Sequence, residues 1–453
     1  MSERGGGGPF DGILARGGVA EQVSDVAWVR AMLDVESALA AARSRTGSIE
    51  PAAAKAIALA CHAEDLDIAT LGLDAAATGN PVVPLVRALT AAIGDATVAG
   101  QVHRGATSQD VLDTAAMLVA HRALAPLLED LVAAADAAAA LADAHRGTLM
   151  AGRTLLQQAL PITFGLKAAG WMTALDASAI RLDAIRTTRL AVQLGGATGT
   201  LASLGEEGIA VLGAFAQELG LAEPTLAWHA DRTRVGELAG ALGVAAGAIG
   251  KVARDVTLLA QTEVGEVHEG TPGRGGSSTL PHKRNPIAAV SAVACAERAP
   301  GLVASLLASM VQEHERAAGS WHAEWRPFGD LLETVGSAAA WLRDCLGHLE
   351  VDAAKMRSNL DLTGGLLLAE RITTALSPSL GRLGAHELVE AATRDVPAAG
   401  RSFRDALAAR PEIAAHLDAD EIDRLLDPAG YLGSADAFIE RALGRRKKGP
   451  GSP

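Results

Sequence analysis

Aromatic residues are scarce in this chain of 453 residues. They account for 3% of the sequence and include a single tyrosine, although hydrophobic residues as a whole make up 49%. Strand-rich proteins draw on aromatic and β-branched side chains, whereas alanine and leucine dominate here. The composition therefore favours an all-α fold, and the length is sufficient for two or three domains.

Cysteine is rarer still. Cys61, Cys295 and Cys345 are odd in number, far apart and without a C-x-x-C pair. This pattern is typical of reduced thiols in a cytosolic protein and argues against a disulfide framework or a zinc site. The H-E-x-x-H motif and related metal-ligand spacings are missing as well. We therefore expect no metal ion.

Positive charge is in deficit, with 40 Lys and Arg residues against 53 Asp and Glu residues. Because nucleic-acid binders usually present a basic face, we expect no nucleic-acid partner. No secretory signal pattern is visible, and apolar stretches are interrupted by Gly or charge before about 18 residues, so we expect no membrane span. A cytoplasmic enzyme with a small anionic ligand fits this balance, provided that Arg and Lys cluster locally.

The helical period recurs almost throughout and divides the chain into three blocks. Residues 1–100 hold shorter helices behind a flexible, glycine-rich tail at 1–10, and residues 101–350 hold long helices. Residues 351–453 return to shorter helices before a flexible, basic tail at 444–453. We interpret these blocks as an N-terminal domain, a central helical bundle with the active-site segments, and a C-terminal domain.

The long helices have wide faces of alanine, glycine and leucine. Their spacing places them at 109–146, 162–188, 234–262, 286–315 and 327–349. Such faces exceed what one antiparallel bundle buries, so we expect them to pack between subunits.

Three polar segments interrupt the helical pattern. They are HRGATSQD at 103–110, GRTLLQQALP at 152–161 and GTPGRGGSSTLPHKRNP at 270–286. Alone, the first fits either a loop with a helix N-cap or an anion site at a helix N-terminus. The second fits a polar turn, and the third a linker or a functional loop. The third is neither a Walker loop, since its glycine and lysine order differs, nor a Rossmann motif, since no strand precedes it.

The third segment contains a longer pattern, Gly-Ser-Ser-x-x-Pro-x-Lys-x-Asn-Pro, at 276–286. It resembles the signature loop of the fumarase/aspartase superfamily, and the first two segments resemble the other two active-site regions of that superfamily in order and separation. The resemblance covers about residues 25–443. It implies a three-domain, all-helical fold without a cofactor, in which central long helices form the core of a homotetramer and each active site draws on three subunits.

Further stretches resemble the bacterial 3-carboxy-cis,cis-muconate cycloisomerases of this superfamily. Examples are TGNP at 78–81, QTEVGE at 261–266 and WHAEWR at 321–326. An adenylosuccinate lyase-like enzyme is the alternative, because such enzymes share PHKRNP at 281–286. Leu155 argues against it, since that lyase carries there a histidine that handles the leaving group, and leucine exchanges no proton.

A non-catalytic helical homologue is the other alternative, and the retained Ser277, Lys283 and Asn285 argue against it. The resemblance implies that Ser277 is the catalytic residue, and that Lys283 and Asn285 hold the carboxylate on which charge develops. The further substrate-binding candidates are Asn80, His103, Thr107, Ser108, Gln109, Arg153, Thr154, Gln157, Ser278, His282 and Arg316. The expected substrate is a small tricarboxylate diene, and the choice among carboxylated, unsubstituted and halogenated muconates stays open.

Overall fold

The structure, a computed structural model, describes residues 8–271, 273–276, 279–280, 282–399 and 401–448. Helices dominate these residues. Sheet is limited there to two antiparallel strand pairs, Leu149–Thr154 with Gln157–Thr163 and Val267–Glu269 with Leu349–Val351. The predicted all-α class is confirmed.

The helices fall into three groups along the chain, and the longest helix of the last group, Ala369–Ala399, has non-helical backbone at Gly381. The first group comprises Asp11–Leu14, Val19–Gln22, Asp25–Arg45, Pro51–Ala60, Ile68–Thr78, Val82–Ala92 and Ala96–Ala99. The middle group comprises Ser108–Ala144, Phe164–Thr188, Gly208–Leu219, Thr233–Leu259, Ile287–Ala308 and Ser320–Gly347. The last group comprises Ala353–Leu360, Ala369–Ala399, Phe403–Ala408, Pro411–Ala414, Ala419–Leu425 and Ala435–Lys448.

Local sequence explains many of the helix ends. The Ser24 hydroxyl accepts the N–H of Ala27 and so caps the helix Asp25–Arg45. Pro51 occupies the first turn of its helix, where its missing N–H costs no hydrogen bond. Gly79 ends the helix Ile68–Thr78 in the left-handed conformation that glycine tolerates best.

The start of the helix Ser320–Gly347 differs from the prediction by seven residues. The sequence favours a start at Pro327, because proline rarely lies in a helix interior. Trp321, Glu324 and Phe328 are nevertheless each at most 5% exposed, at helical spacing. Burial of this face outweighs the local penalty of the proline. The preceding helix, in contrast, ends at Ala308 and not near residue 315.

The segment 152–161 is not the simple turn between helices that the sequence favours. It lies in the hairpin formed by Leu149–Thr154 and Gln157–Thr163, and the following helix accordingly begins at Phe164. The pairing is irregular between Ala151 and Arg153.

The C-terminal tail prediction is wrong for residues 444–448, which extend the helix Ala435–Lys448. Arg446 anchors this turn, because its guanidinium pairs with Asp176 and, at 2.6 Å, with Asp136. Residues 1–7 and 449–453 of the two predicted tails lie outside the described residues.

The chain separates into two compact units. One comprises Met1–Ala133, Ala177–Lys251 and Val290–Arg343, and the other comprises Ala134–Asp176, Val252–Ala289 and Asp344–Pro453. The second unit contains a hydrophobic cluster around Phe403, Ile372 and Leu376. The predicted domains, with boundaries at residues 100 and 350, divide the chain differently from these two units, and they stay a proposal.

Two helices, Thr233–Leu259 and Ile287–Ala308, are long and apolar enough for a membrane span by length and composition alone. Both helices are interrupted by glycine and by charged residues, as the sequence indicates, and the expected absence of a membrane span stays a prediction. In each helix, about half of the most apolar 18-residue stretch is buried within the chain. Core helices of soluble proteins commonly have the same properties.

Candidate functional site

In the first unit, the segment 103–110 forms a tight loop that opens the helix Ser108–Ala144. His103 and Gly105 both have positive φ, and Gly105 packs closely against Leu204. The Asp110 carboxylate accepts the backbone N–H of Thr107 at 2.9 Å and thereby caps the helix. The cap is supplied from within the first turn, as in the return half of a capping box.

Asp110 also connects this loop to two others. Its carboxylate accepts the backbone N–H groups of Gly195 and Gly196 at 3.0 and 2.9 Å, and it contacts Nε2 of His229 at 2.7 Å. The carboxylate is buried. Four contacts offset the cost of burying this charge, so the loops around residues 105, 195 and 229 are held as one rigid framework.

Arg316 reaches the start of the same helix from the segment between Ile287–Ala308 and Ser320–Gly347. Its Nη1 donates to Oγ1 of Thr107 at 2.7 Å, and its Nε donates to Oε1 of Gln109 at 3.2 Å. Arg316 is exposed and Thr107 is partly exposed. A guanidinium, a hydroxyl and a helix N-terminus together make a site suited to a carboxylate.

Beneath this site lies a buried ion cluster. Arg232 donates to both oxygens of Asp113, at 3.0 and 2.8 Å, and to the carboxylate of Glu324 at 2.7 Å. The indole N–H of Trp321 also donates to Asp113. Burial raises the pKa of Glu324 despite the neighbouring arginine. Two carboxylates and one guanidinium are costly to bury, which makes their arrangement strongly dependent on each partner.

His103 pairs with the buried Glu36 at 2.7 Å through Nδ1. Burial by itself would lower the pKa of His103, but the hydrogen bond and charge of Glu36 outweigh it, and the pKa is raised above its ordinary value. Asn80, another predicted site residue, uses its side-chain oxygen to accept the N–H of Val82 at the start of the next helix.

In the second unit, the hairpin presents Thr154 and Gln157 opposite each other, both exposed. The turn between them consists of Leu155 and Leu156, which are 97% and 76% exposed and have φ values of 50° and 66°. Two consecutive positive φ angles match a type I′ turn, which normally requires Asn or Gly. The turn therefore holds two leucines in an unfavourable conformation.

Arg153 lies one residue before Thr154 in the hairpin. Its guanidinium forms a bidentate ion pair with the buried carboxylate of Glu266, at 2.6 and 2.9 Å. Asn359 donates to the same carboxylate. These contacts engage Arg153 in support of the hairpin, while its predicted role in substrate binding stays a prediction.

The signature loop closes on itself at Gly275 and Asn285. The carbonyl oxygen of Gly275 accepts both the backbone N–H of Asn285, at 2.8 Å, and the side-chain amide, at 3.1 Å. A Cβ at position 275 would lie 2.3 Å from the carbonyl oxygen of Asn285, so only glycine fits. His282 and Lys283 are exposed beyond this neck. Ser277 and Ser278 lie outside the described residues.

The base of the loop is anchored by ion pairs. Arg274 pairs with Asp344 through both guanidinium nitrogens. The Glu269 carboxylate accepts the N–H groups of Ala288 and Ala289 and caps the helix Ile287–Ala308. The loop thus begins and ends on fixed supports.

The structure groups the predicted residues within each unit. The first unit brings Thr107, Gln109 and Arg316 together, and the second contains the hairpin and the signature loop. Sequence reasoning missed the buried charged residues that support them: Glu36, Asp110, Asp113, Arg232, Glu266 and Glu324. For Glu36, Asp113 and Glu324, an acidic residue within an otherwise apolar helical face was the available signal. Among the described residues, no group of three or more His, Cys, Asp or Glu side chains could hold a metal ion.

Comparison with known proteins identifies the family. A family model described as "Lyase" matches residues 18–301, and one described as "Adenylosuccinate lyase C-terminus" matches residues 365–442. The 3-carboxy-cis,cis-muconate cycloisomerase of Bradyrhizobium diazoefficiens is 47% identical over 95% of this chain and 96% of its own length. The nitrosuccinate lyase of Streptomyces davaonensis is 45% identical, over 94% of this chain and 92% of its own.

The crystal structure of 3-carboxy-cis,cis-muconate lactonizing enzyme from Pseudomonas putida superimposes with a TM-score of 0.91 at 42% identity, covering 97% of this chain and 99% of that one. The similarity of sequence and of fold extends over nearly the whole length of both chains. The chain therefore belongs to the fumarase/aspartase superfamily of lyases, in the branch that includes the 3-carboxy-cis,cis-muconate cycloisomerases.

Proposed function

We propose that this protein converts 3-carboxy-cis,cis-muconate to carboxymuconolactone without a cofactor, as a step in protocatechuate degradation. The observation that carries the proposal is the 47% identity, over nearly the full length, to an enzyme of that name. The similarity of fold to the Pseudomonas putida enzyme supports the same activity.

The hairpin tip supports this reaction chemically. Leu155 stands at the position where several superfamily lyases carry a proton-transferring histidine, and its side chain is fully exposed to whatever binds there. In the reverse direction the lactone opens to release a carboxylate, the anion of an acid with a pKa near 4. Such a group departs without a proton, so the reaction does not need the histidine.

The forward reaction forms one C–O bond and one C–H bond. A carboxylate oxygen adds to the distal carbon of a conjugated double bond, and the electron pair moves to the carbon next to a second carboxylate. The hydroxyl of Ser277 then delivers a proton to that carbon and is reprotonated from solvent. The substrate trianion takes up one proton overall and becomes the lactone dianion.

Serine is a weak acid in water, so its use requires a site that stabilises the alkoxide. We assign Lys283 and Asn285 to the carboxylate that carries the developing charge. Thr107, Arg316, Thr154 and Gln157 would orient the other carboxylates, and Ser108, Ser278, His103, His282, Arg153 and Asn80 are the further candidates.

We further propose a cytoplasmic homotetramer. The helices Thr233–Leu259 and Ile287–Ala308 leave apolar side chains in solvent when the chain is considered alone, including Val244 at 52% and Val290 at 50% exposure. Association of the long helices would bury these surfaces.

A second candidate activity is a lyase reaction on nitrosuccinate, because a relative of that name is nearly as similar as the cycloisomerases. Nitrite would be the leaving group of such an elimination, and it also departs without a general acid. Leu155 is therefore compatible with both reactions, and the number of carboxylates that the site binds distinguishes the two substrates.

The decisive experiment follows the ultraviolet absorbance of 3-carboxy-cis,cis-muconate with purified protein in the presence of EDTA. We expect loss of the diene absorbance with wild type, and a decrease of at least about 100-fold in rate for Ser277→Ala. Ser358→Ala, which changes an exposed serine outside the predicted site, is the matched control.

No turnover by wild type would refute the substrate, and nitrite release from nitrosuccinate would then establish the second candidate. Equal rates for wild type and Ser277→Ala would support the proposed reaction but refute the role of Ser277. Loss of activity on EDTA treatment would refute the metal-free mechanism.

A further inference from the structure

Gln109 is 1% exposed, and both ends of its side-chain amide are occupied by protein groups. Its Nε2 donates to Oδ2 of Asp113 at 3.2 Å and to the carbonyl oxygen of His229 at 2.9 Å. Its Oε1 accepts from Nε of Arg316 at 3.2 Å. A carboxylate and a carbonyl only accept, and a guanidinium only donates, so the orientation of the amide is determined by its surroundings.

Asp113 is a rigid partner for this amide. Its two oxygens accept from both terminal nitrogens of Arg232, and Oδ1 also accepts from the indole of Trp321. Arg232 is held in turn by Glu324. The amide of Gln109 is therefore fixed by a fully buried network that has little freedom to move.

Arg316 is exposed, and a long side chain of this type samples many rotamers in solution. Gln109 and Thr107 contact its Nε and Nη1. Nη2 has no partner within the part of the chain that the structure describes. The negative charge of Asp113 polarises the amide of Gln109 and strengthens its hold on the guanidinium. One edge of Arg316 is thus anchored while the other is left for an anion.

We propose that Gln109 is a positioning residue that does not touch the substrate and acts through Arg316, which it directs at one substrate carboxylate. This role differs from the sequence-based prediction, in which Gln109 binds the substrate itself. The identity of that substrate rests on the proposed function. The relay runs from the buried ion cluster through Gln109 to Arg316.

The test is a double-mutant cycle with 3-carboxy-cis,cis-muconate. Gln109→Met keeps the side-chain length but removes both the donor and the acceptor. We expect it to raise KM about tenfold with a smaller change in kcat, because a ground-state and transition-state contact is weakened together. In an Arg316→Met background, the same substitution should change kcat/KM by less than about twofold. If the double variant instead loses kcat/KM by the product of the two single-variant factors, the proposal is overturned.

Gln193 provides a matched control, since it is buried and also directs its Nε2 toward Asp113, at 3.5 Å, without contacting Arg316. Gln193→Met should lower the melting temperature much as Gln109→Met does. Its effect on kcat/KM should be the same factor with and without Arg316→Met. If Gln193 and Gln109 couple equally to Arg316, the role of Gln109 is structural only and the proposal is overturned.

A second readout does not depend on the substrate. In a crystal structure of Gln109→Met, we expect the Arg316 guanidinium to leave its position beside Thr107. An unmoved Arg316 would overturn the positioning role, whatever the enzyme converts. A displaced Arg316 in a protein that does not convert carboxymuconate would refute the proposed function and leave the positioning role standing.

Discussion

At the scale of single residues, burial decides what the polar groups around the first active-site segment can do. Gln109 and Asp110 are adjacent in sequence, and both are buried with all their polar atoms engaged by protein partners. Thr107 and Arg316 remain accessible. The segment therefore consists of a supporting layer and an exposed layer, and only the exposed layer is available to an anion.

The pair of His103 and Glu36 makes stability depend on pH. Because the pKa of His103 is raised above its usual value of 6.5, the pair contributes fully below about pH 6.5 and is lost as the pH rises through the higher folded-state pKa. We expect the melting temperature of wild type to fall over this interval. Glu36→Gln should flatten that dependence.

The control for this prediction is Glu390→Gln, which removes an exposed glutamate that is paired with Arg394 and not with a histidine. It should leave the pH dependence of the melting temperature unchanged. A Glu36→Gln protein with the wild-type pH profile would contradict the assigned cause.

At the scale of elements, the hairpin and the signature loop show backbone geometry that local preference does not favour. Leu155 and Leu156 occupy a turn that prefers Asn-Gly, and Gly275 meets a backbone oxygen where any side chain would clash. Strained or uniquely glycine-dependent backbone of this kind persists where its surroundings over-determine it, and it is concentrated at functional sites.

Replacing the turn with Leu155→Asn and Leu156→Gly should relieve this strain. We expect the free energy of unfolding to rise by about 1 kcal/mol. Each leucine in a left-handed conformation costs roughly 1 kcal/mol or more. Glycine offsets part of this gain, because it increases the conformational entropy of the unfolded chain. Activity should fall, since the apolar tip is lost. Chemical denaturation and steady-state kinetics measure the two effects.

Leu73→Asn is the matched control, because Leu73 is also exposed but lies in the helix Ile68–Thr78 with ordinary helical geometry. It should give no stabilisation, as asparagine is a weaker helix former than leucine. A hairpin variant that is both more stable and fully active would show that the leucines have no functional role.

At the scale of the whole molecule, apolar helix surface is the main unexplained feature of a single chain. Val244 and Val290 lie half-exposed on long helices whose windows reach a mean hydropathy of 1.4. In a monomer this apolar surface would be exposed to water, whereas association of subunits would bury it.

We expect wild type to elute with the mass of four 46.1-kDa chains in light-scattering chromatography. Val244→Asp should shift the distribution to smaller species and abolish activity, because an unpaired carboxylate is costly in an apolar interface. Val26→Asp changes a similarly exposed valine on the helix Asp25–Arg45 and should leave the mass unchanged. A monomeric, active wild type would contradict the assembly.

The sequence by itself determined the helical class, the long central helices and the family, since composition, 3.6-residue periodicity and a contiguous signature motif are local properties. Only the tertiary structure showed that Ser320 and not Pro327 begins a long helix, that the second segment is a strained hairpin, and that Gln109 is buried beneath Arg316. The last pair is separated by 207 residues. Contacts at that distance depend on how helices pack, and packing energies can override proline, turn and capping preferences that are each worth only a few kcal/mol.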